Sequence, residues 1–444
     1  MPPAPLGAPW PAGAAVRAGV LELAGYSVTD LTETFATPSF LLDVADLRAR
    51  AARFRDAFAA AFGRPVAVYY ASKAFSSTAV LRWVHAEGLR VDCATGGELA
   101  TALAAGIPGE DIGLHGNNKS AGEIATAIGA GVGRIVIDSL PEIELVARVA
   151  ADLRASDVPV MVRVTTGIHA GGHEFIATAH EDQKFGLSLA TGAARAALDA
   201  IAASPGLRLV GLHSHIGSQI MGSGGFAEAA RAVLGLRAEA EAAGIEVPEI
   251  DLGGGYGIAY LPGEADLDPA VVAADLAGAV RAECAALGAS VPEISIEPGR
   301  SIVGPAMVTV YTVGTVKPVT TEDGSQRLYV SVDGGMSDNI RTILYDASYT
   351  AMLANRVGGA ETVRARVVGK HCESGDIVVE EVQLPADIRA GDLLAVPATG
   401  AYGRSLASNY NLVPRPGVVA LGDGEPREIV RRETVADLLA LDLG

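Results

Sequence analysis

Between Leu42 and Glu297, short apolar and β-branched runs alternate with longer segments rich in Ala and Leu. The runs are Val66 to Ser72, Arg90 to Ala94, Asp111 to His115, Arg134 to Asp138, Pro159 to Val164, Leu207 to Ser214, Glu249 to Leu252 and Glu293 to Glu297. Near-continuous apolar stretches of about four to eight residues are the pattern of strands covered on both faces, as in a parallel sheet. Helices are predicted between them, at Ser76 to Glu87, Glu98 to Ala105, Ala121 to Ala130, Leu140 to Leu153, Leu189 to Ala203, Phe226 to Ala243 and Pro269 to Leu287. Eight strands separated by helices predict a (β/α)8 barrel over residues 45–305, with an open doubly wound sheet as the alternative.

After Pro298 the pattern changes. Met307 to Val316, Arg327 to Val332, Val363 to Val368, Ile377 to Val382, Leu393 to Val396 and Val418 to Leu421 are short β-rich runs separated by turn residues. They predict an all-β domain over residues 306–444, a sandwich or small barrel. Thr37 to Leu42 is strand-like too, so residues 37–44 are expected to join that domain. Residues 1–36 begin MPPAPLGAPWPAGAA and read as a mostly disordered or irregular lead-in. Thr165 to Gly186 is too long for a connection and reads as a lid or wall of the site.

Composition narrows the class. A net charge of −18 without a Lys/Arg cluster argues against a nucleic-acid surface and for a small-molecule substrate. No uninterrupted apolar stretch is long enough to span a membrane. The three cysteines, Cys93, Cys284 and Cys372, match neither a disulfide framework nor zinc spacing, which suits a reducing cytoplasm.

The chemistry-bearing residues fall at the C-terminal ends of the predicted strands, the functional face of such barrels: Lys73, His115, His213 with His215, Gly253 to Gly255, and Glu297. A lysine closing a buried strand is costly unless it is paired or used chemically, and desolvation gives it the lowered pKa a Schiff-base lysine needs. A lysine snorkelling to water is the bland reading of that position. DLGGGYGI lacks G-x-G-x-x-G spacing, GNNKS lacks the glycine before lysine, and no HExxH occurs. His213 and His215 could ligate a metal, but no supporting ligand set accompanies them, and no metal site is expected. The glycine triplet lets backbone N–H groups approach an anion closely. Lysine, glycine turn, Arg300 and Glu297 together are what pyridoxal phosphate needs: a covalent anchor, a phosphate cradle and a carboxylate that keeps the pyridine nitrogen protonated.

An ordered set of blocks carries a family resemblance along nearly the whole chain. YYASKA surrounds Lys73, HEFIATAHEDQKFG covers His173 to Gly186, and GLHSHIGSQI, DLGGGYGI, IEPGRS, the R-x-x-L-Y block at Arg341 to Tyr345, HCESGD from His371 and ATGAYGRSLASNYN from Ala398 follow. With these the chain resembles the fold-type III pyridoxal-phosphate decarboxylases. The resemblance implies that Lys73 carries the cofactor, that His215 packs on its ring, that Ser218, Gly255, Gly299, Arg300 and Tyr402 surround its phosphate, and that Glu297 pairs with the ring nitrogen. It further implies that Arg300, Arg341 and Tyr345 face a substrate carboxylate, with Tyr402 beside them, that Glu373 meets a distal ammonium, and that Cys372 gives a proton to the carbanion.

Cys372 would come from the second subunit of a homodimer. The implied reaction is decarboxylation of meso-2,6-diaminopimelate to L-lysine in the cytoplasm. Ornithine, arginine or carboxynorspermidine decarboxylation, or a non-catalytic regulatory role, are the alternatives. Two positions depart from the family pattern: Thr342 stands where proline is usual, and CATGGE at Cys93 to Glu98 replaces the usual Val and Ser before its glycines.

Overall fold

The computed structural model describes residues 6–168, 184–358 and 361–444. The chain forms two compact units. One comprises residues 50–257 and 267–299; the other gathers residues 1–49, 258–266 and 300–444.

The first unit is a closed barrel. Its strands are β1 (Ala67–Ala71), β2 (Arg90–Cys93), β3 (Ile112–Leu114), β4 (Arg134–Ile137), β5 (Val158–Thr165), β6 (Leu207–His213), β7 (Glu249–Asp251) and β8 (Glu293–Ile296). Each pairs in parallel with its sequence neighbour, and β8 returns to β1 through Ser295 opposite Ala67. Closure leaves no edge strand, and every one of the eight predicted runs is present. Helices Thr78–Ala86, Gly96–Ala104, Ala121–Ala130, Leu140–Asp152, Ala193–Ala202, Gly224–Ala242 and Pro269–Leu287 connect them. Their starts are written locally: Ser77, Thr95 and Ser120 each accept from the backbone three residues on, and Glu123 returns the bond to Ser120.

The barrel interior is not wholly apolar. Arg134 is 1% exposed and reaches Glu249 Oε1 at 2.7 Å, Ser295 Oγ at 3.1 Å and the Asp251 carboxylate. Its guanidinium carbon lies 3.7 Å from the centre of the Tyr69 ring. These partners offset much of the lost hydration of a buried charge, while the Nε of Arg134 finds no hydrogen-bond partner among the described residues.

The second unit is a mixed sheet. Strand Met307–Thr320 is its spine, pairing with Gln326–Val332, Leu393–Val396 and Ser39–Asp43. Ser39–Asp43 in turn runs parallel to Gly417–Leu421, so the segment at residue 37 does join the β domain. Residues 6–36 correct the expectation of an irregular lead-in. Ala14–Arg17, Val20–Leu23 and Tyr26–Ser27 make a small antiparallel sheet, followed by a helix at Val28–Phe35. Leu21, Leu23, Val28 and Leu31 are buried against Val308, Val310 and Val419. That apolar burial offsets the ordering cost of a Gly- and Ala-rich segment. The proposed lid falls mostly on residues 169–183, outside the described residues. No helix among the described residues is long and apolar enough to cross a membrane.

Candidate active site

On the barrel unit, the C-terminal strand ends carry the expected groups. Strand β1 runs straight into a single turn, Ser72–Ala74, on which Lys73 is exposed while Ser72 and Ala74 are buried. The charge of Lys73 acts on both His215 and Asp92. Burial pushes the Asp92 carboxyl up to about 6.

Glu297 follows β8 and is 4% exposed. Its Oε1 lies 2.9 Å from His115 Nε2, at the end of β3, and its Oε2 lies 3.3 Å from His213 Nε2, the last residue of β6. Burial opposes its charge, but the two imidazoles outweigh that and hold Glu297 well below the usual carboxylate range. His213 itself is shifted down by burial, as an imidazole in a dry barrel must be. His215 Nδ1 accepts from the Gly254 N–H at 3.1 Å. Burial first, and then the charge of Lys73, keep its ring neutral, well below the ordinary histidine pKa.

The glycine triplet is a close-packed turn. A Cβ on Gly254 would lie 2.0 Å from Glu297 O, one on Gly255 would lie 2.2 Å from Gly217 O, and one on Gly253 would lie 2.5 Å from Ser214 O. Gly253 and Gly255 also hold positive φ, so L side chains are excluded twice over. Ser218 follows Gly217 on the facing loop, whose Ile220 N–H bonds Gly255 O at 2.9 Å. Gly299 packs against the end of β1, where a Cβ would stand 2.9 Å from Ala71 O.

The β unit holds the other group of predicted residues. Arg300 and Arg341 both donate to the Tyr260 hydroxyl, at 2.5 and 2.8 Å, and Arg341 also donates to Tyr349. The Arg300 guanidinium lies 4.9 Å from the centre of the Tyr402 ring. Tyr345 ends the short helix that Arg341 begins and is half-buried. Cys372 and Glu373 are exposed on a turn, where the Cys372 N–H is tied to Asn411 Oδ1 at 3.2 Å.

The predicted residues therefore divide. Lys73, His215, Ser218, Gly255, Glu297 and Gly299 belong to the barrel, and Arg300, Arg341, Tyr345, Cys372, Glu373 and Tyr402 to the β unit. Sequence reasoning missed Tyr260 and Tyr349, and gave His115 no partner. The available signal was His115 closing a strand like Lys73; nothing marked the tyrosines. Among the described residues, His115, His213 and Glu297 bring three ligand atoms within 4.8 Å, the one grouping that could take a cation. It uses His213 with His115 rather than with His215.

Residues 44–304 match the family "Pyridoxal-dependent decarboxylase, pyridoxal binding domain", and the chain belongs to that family of decarboxylases, whose cofactor is pyridoxal 5'-phosphate. Within it, the relatives are diaminopimelate decarboxylases. The enzyme of Mycobacterium tuberculosis (strain H37Rv) is 50% identical over 430 residues, covering 96% of this chain and 95% of its own. That of Bacillus subtilis (strain 168) is 43% identical over 426 residues, covering 96% and 95%. Among solved structures, the diaminopimelate decarboxylase of M. jannaschii in complex with L-lysine superposes with a TM-score of 0.88 at 30% identity, covering 97% of this chain and 98% of its own.

The barrel unit fits pyridoxal phosphate on its own geometry. It presents an exposed lysine at a strand end, a buried anionic carboxylate with two fixed imidazoles behind it, and a turn whose backbone leaves no room for a Cβ.

Proposed function

We propose that this protein removes CO2 from meso-2,6-diaminopimelate to give L-lysine, as a homodimer in the cytoplasm. The carrying observation is the Glu297 carboxylate, held anionic between His115 and His213. Pyridoxal phosphate supplies a ring that accepts the electron pair left when CO2 departs. Glu297 keeps a proton on the ring nitrogen, and its two imidazoles prevent it from taking that proton back. Lys73 is the attachment point, its side-chain amine being the nucleophile that would bind the cofactor covalently. His215, neutral and fixed by Gly254, would lie beside the cofactor without competing for the proton. Backbone N–H groups of the Gly253 to Gly255 turn and Gly299 would hold the phosphate, a role the family resemblance also gives to Ser218, Arg300 and Tyr402.

Arg300 and Arg341, with Tyr345 and Tyr402 beside them, orient a substrate carboxylate by charge-assisted hydrogen bonds. Glu373 takes the distal ammonium, and the Cys372 thiol delivers a proton to the carbon that lost CO2. Both lie on an exposed turn, which suits residues offered to a second copy of the chain. Incubation of the holoenzyme with meso-diaminopimelate, ornithine and arginine in separate reactions tests the assignment. Lysine and CO2 from the first alone are expected; CO2 from either of the others in its place would refute the substrate.

A further inference from the structure

The two substrate-facing arginines meet at one tyrosine hydroxyl, that of Tyr260. Arg341 is 4% exposed, and among the described residues both of its side-chain hydrogen bonds leave from Nη1, to the hydroxyls of Tyr260 and Tyr349. Its Nε is buried with no hydrogen-bond partner among the described residues. The Tyr260 oxygen also receives Arg300 Nη1, so one phenol joins two cations that would otherwise repel each other.

Tyr260 is itself firmly placed. Its ring meets that of Tyr349 edge-on at 5.2 Å, and its backbone N–H bonds Glu264 Oε2 at 2.9 Å. Its side chain belongs to the apolar core that includes Tyr311, Val332 and Leu384. A carboxylate in its position would satisfy the guanidinium forks bidentately and would have to be displaced by substrate. A phenol aligns them through one donor each, Nη1 of Arg300 and Nη1 of Arg341. The direction of its acidity agrees: burial raises the Tyr260 pKa, yet the two guanidinium groups bring it below the ordinary phenol value.

We propose that Tyr260 is the positioning residue of the substrate-carboxylate receptor, its hydroxyl yoking Arg300 and Arg341 side by side so that an incoming carboxylate meets two preset guanidinium groups. This rests on the arginine roles given under Proposed function. The test is Tyr260→Phe, which keeps the ring and removes only the oxygen. Calorimetric titration of the holoenzyme with pimelate, a dicarboxylate that cannot react, reads the receptor without turnover, and kinetics with meso-diaminopimelate read KM against kcat.

Pimelate affinity is expected to fall, and KM to rise, by about tenfold to a hundredfold, with kcat changed less than about threefold. Tyr349→Phe, which spares the yoke, is expected to have a smaller effect on both. Unchanged pimelate binding, or a loss confined to kcat, would overturn the proposal. If Tyr260→Phe does not fold, Tyr260→Met fills similar volume without the hydroxyl and carries the same expectation. A wild-type enzyme that binds pimelate through Tyr260 but makes no lysine would refute the substrate and leave the yoke standing.

Discussion

His115 Nε2 lies 2.9 Å from Glu297 Oε1, a contact between the ends of two non-adjacent barrel strands that fixes the charge of the carboxylate. His115→Phe leaves His213 as the sole imidazole facing Glu297, and the carboxylate's pKa rises. The expected result is a fall in kcat of about tenfold to a hundredfold and a shifted absorbance of the bound cofactor, with Lys73 still attached. Chelation by EDTA is expected to leave turnover unchanged; loss of activity restored by a divalent cation would reassign the trio as a metal site.

Acid sensitivity follows from His213 and His215, whose pKa values are both shifted down by burial from the usual 6.5. Below that value the unfolded chain binds protons that the folded chain refuses, so stability falls as pH drops from 6.5 towards the lower folded values. Each group contributes a slope of up to about 1.4 kcal/mol per pH unit in that window. Melting temperatures measured between pH 7 and 5 are expected to fall, and the fall is expected to be shallower in His213→Asn.

Gly254→Ala places a methyl where Glu297 O already stands, so the turn must move. A loss of about 1–3 kcal/mol in stability is expected in denaturant titrations, with weakened cofactor binding, because the backbone being displaced carries Glu297 itself.

Arg134→Met keeps the length of the side chain but strands Glu249 and Asp251 inside the barrel. Breaking a buried ion cluster from one side costs about 3–5 kcal/mol, and a matching drop in the unfolding midpoint is expected. Adding Glu249→Gln and Asp251→Asn to the same chain is expected to recover part of it.

The proposal that two subunits share each site makes a mixing prediction. Lys73→Ala and Cys372→Ala are each expected to be inactive, but co-refolded they form mixed dimers in which one of two sites keeps both residues, giving about a quarter of wild-type activity under random pairing. No recovery would place Cys372 in the same subunit's site.

The barrel was legible because its strands are apolar on both faces and its helices carry their own caps, as Ser120 and Glu123 do. Lys73, His213 and Glu297 could be placed because residues at or just beyond a strand's C-terminal end lie on the functional face whatever their neighbours. Arg134 could not: a charged residue opening a strand looks like a solvated flank, and only closure of the barrel sets it opposite Glu249 and Asp251. Tyr260 was hidden for a related reason. It lies in a loop of the barrel's stretch of sequence, while its partners Arg341 and Tyr349 come some eighty residues later. Residues 14–31 were masked by their Gly and Ala content, because the core they complete is supplied by strands from the far end of the chain.

The parallel pairing of Ser39–Asp43 with Gly417–Leu421 ties nearly the first strand made to nearly the last. At roughly 5–20 residues per second of synthesis, the early strand waits tens of seconds for that neighbour. During that interval its five consecutive buried residues, SFLLD, have one flank uncovered, while the barrel between them has all of its sequence in hand. The chain thus emerges with its barrel able to close before the mixed sheet of the other unit can, and the late arrival of residues 417–421 is the step at which a nascent copy is most open to pairing with the wrong chain.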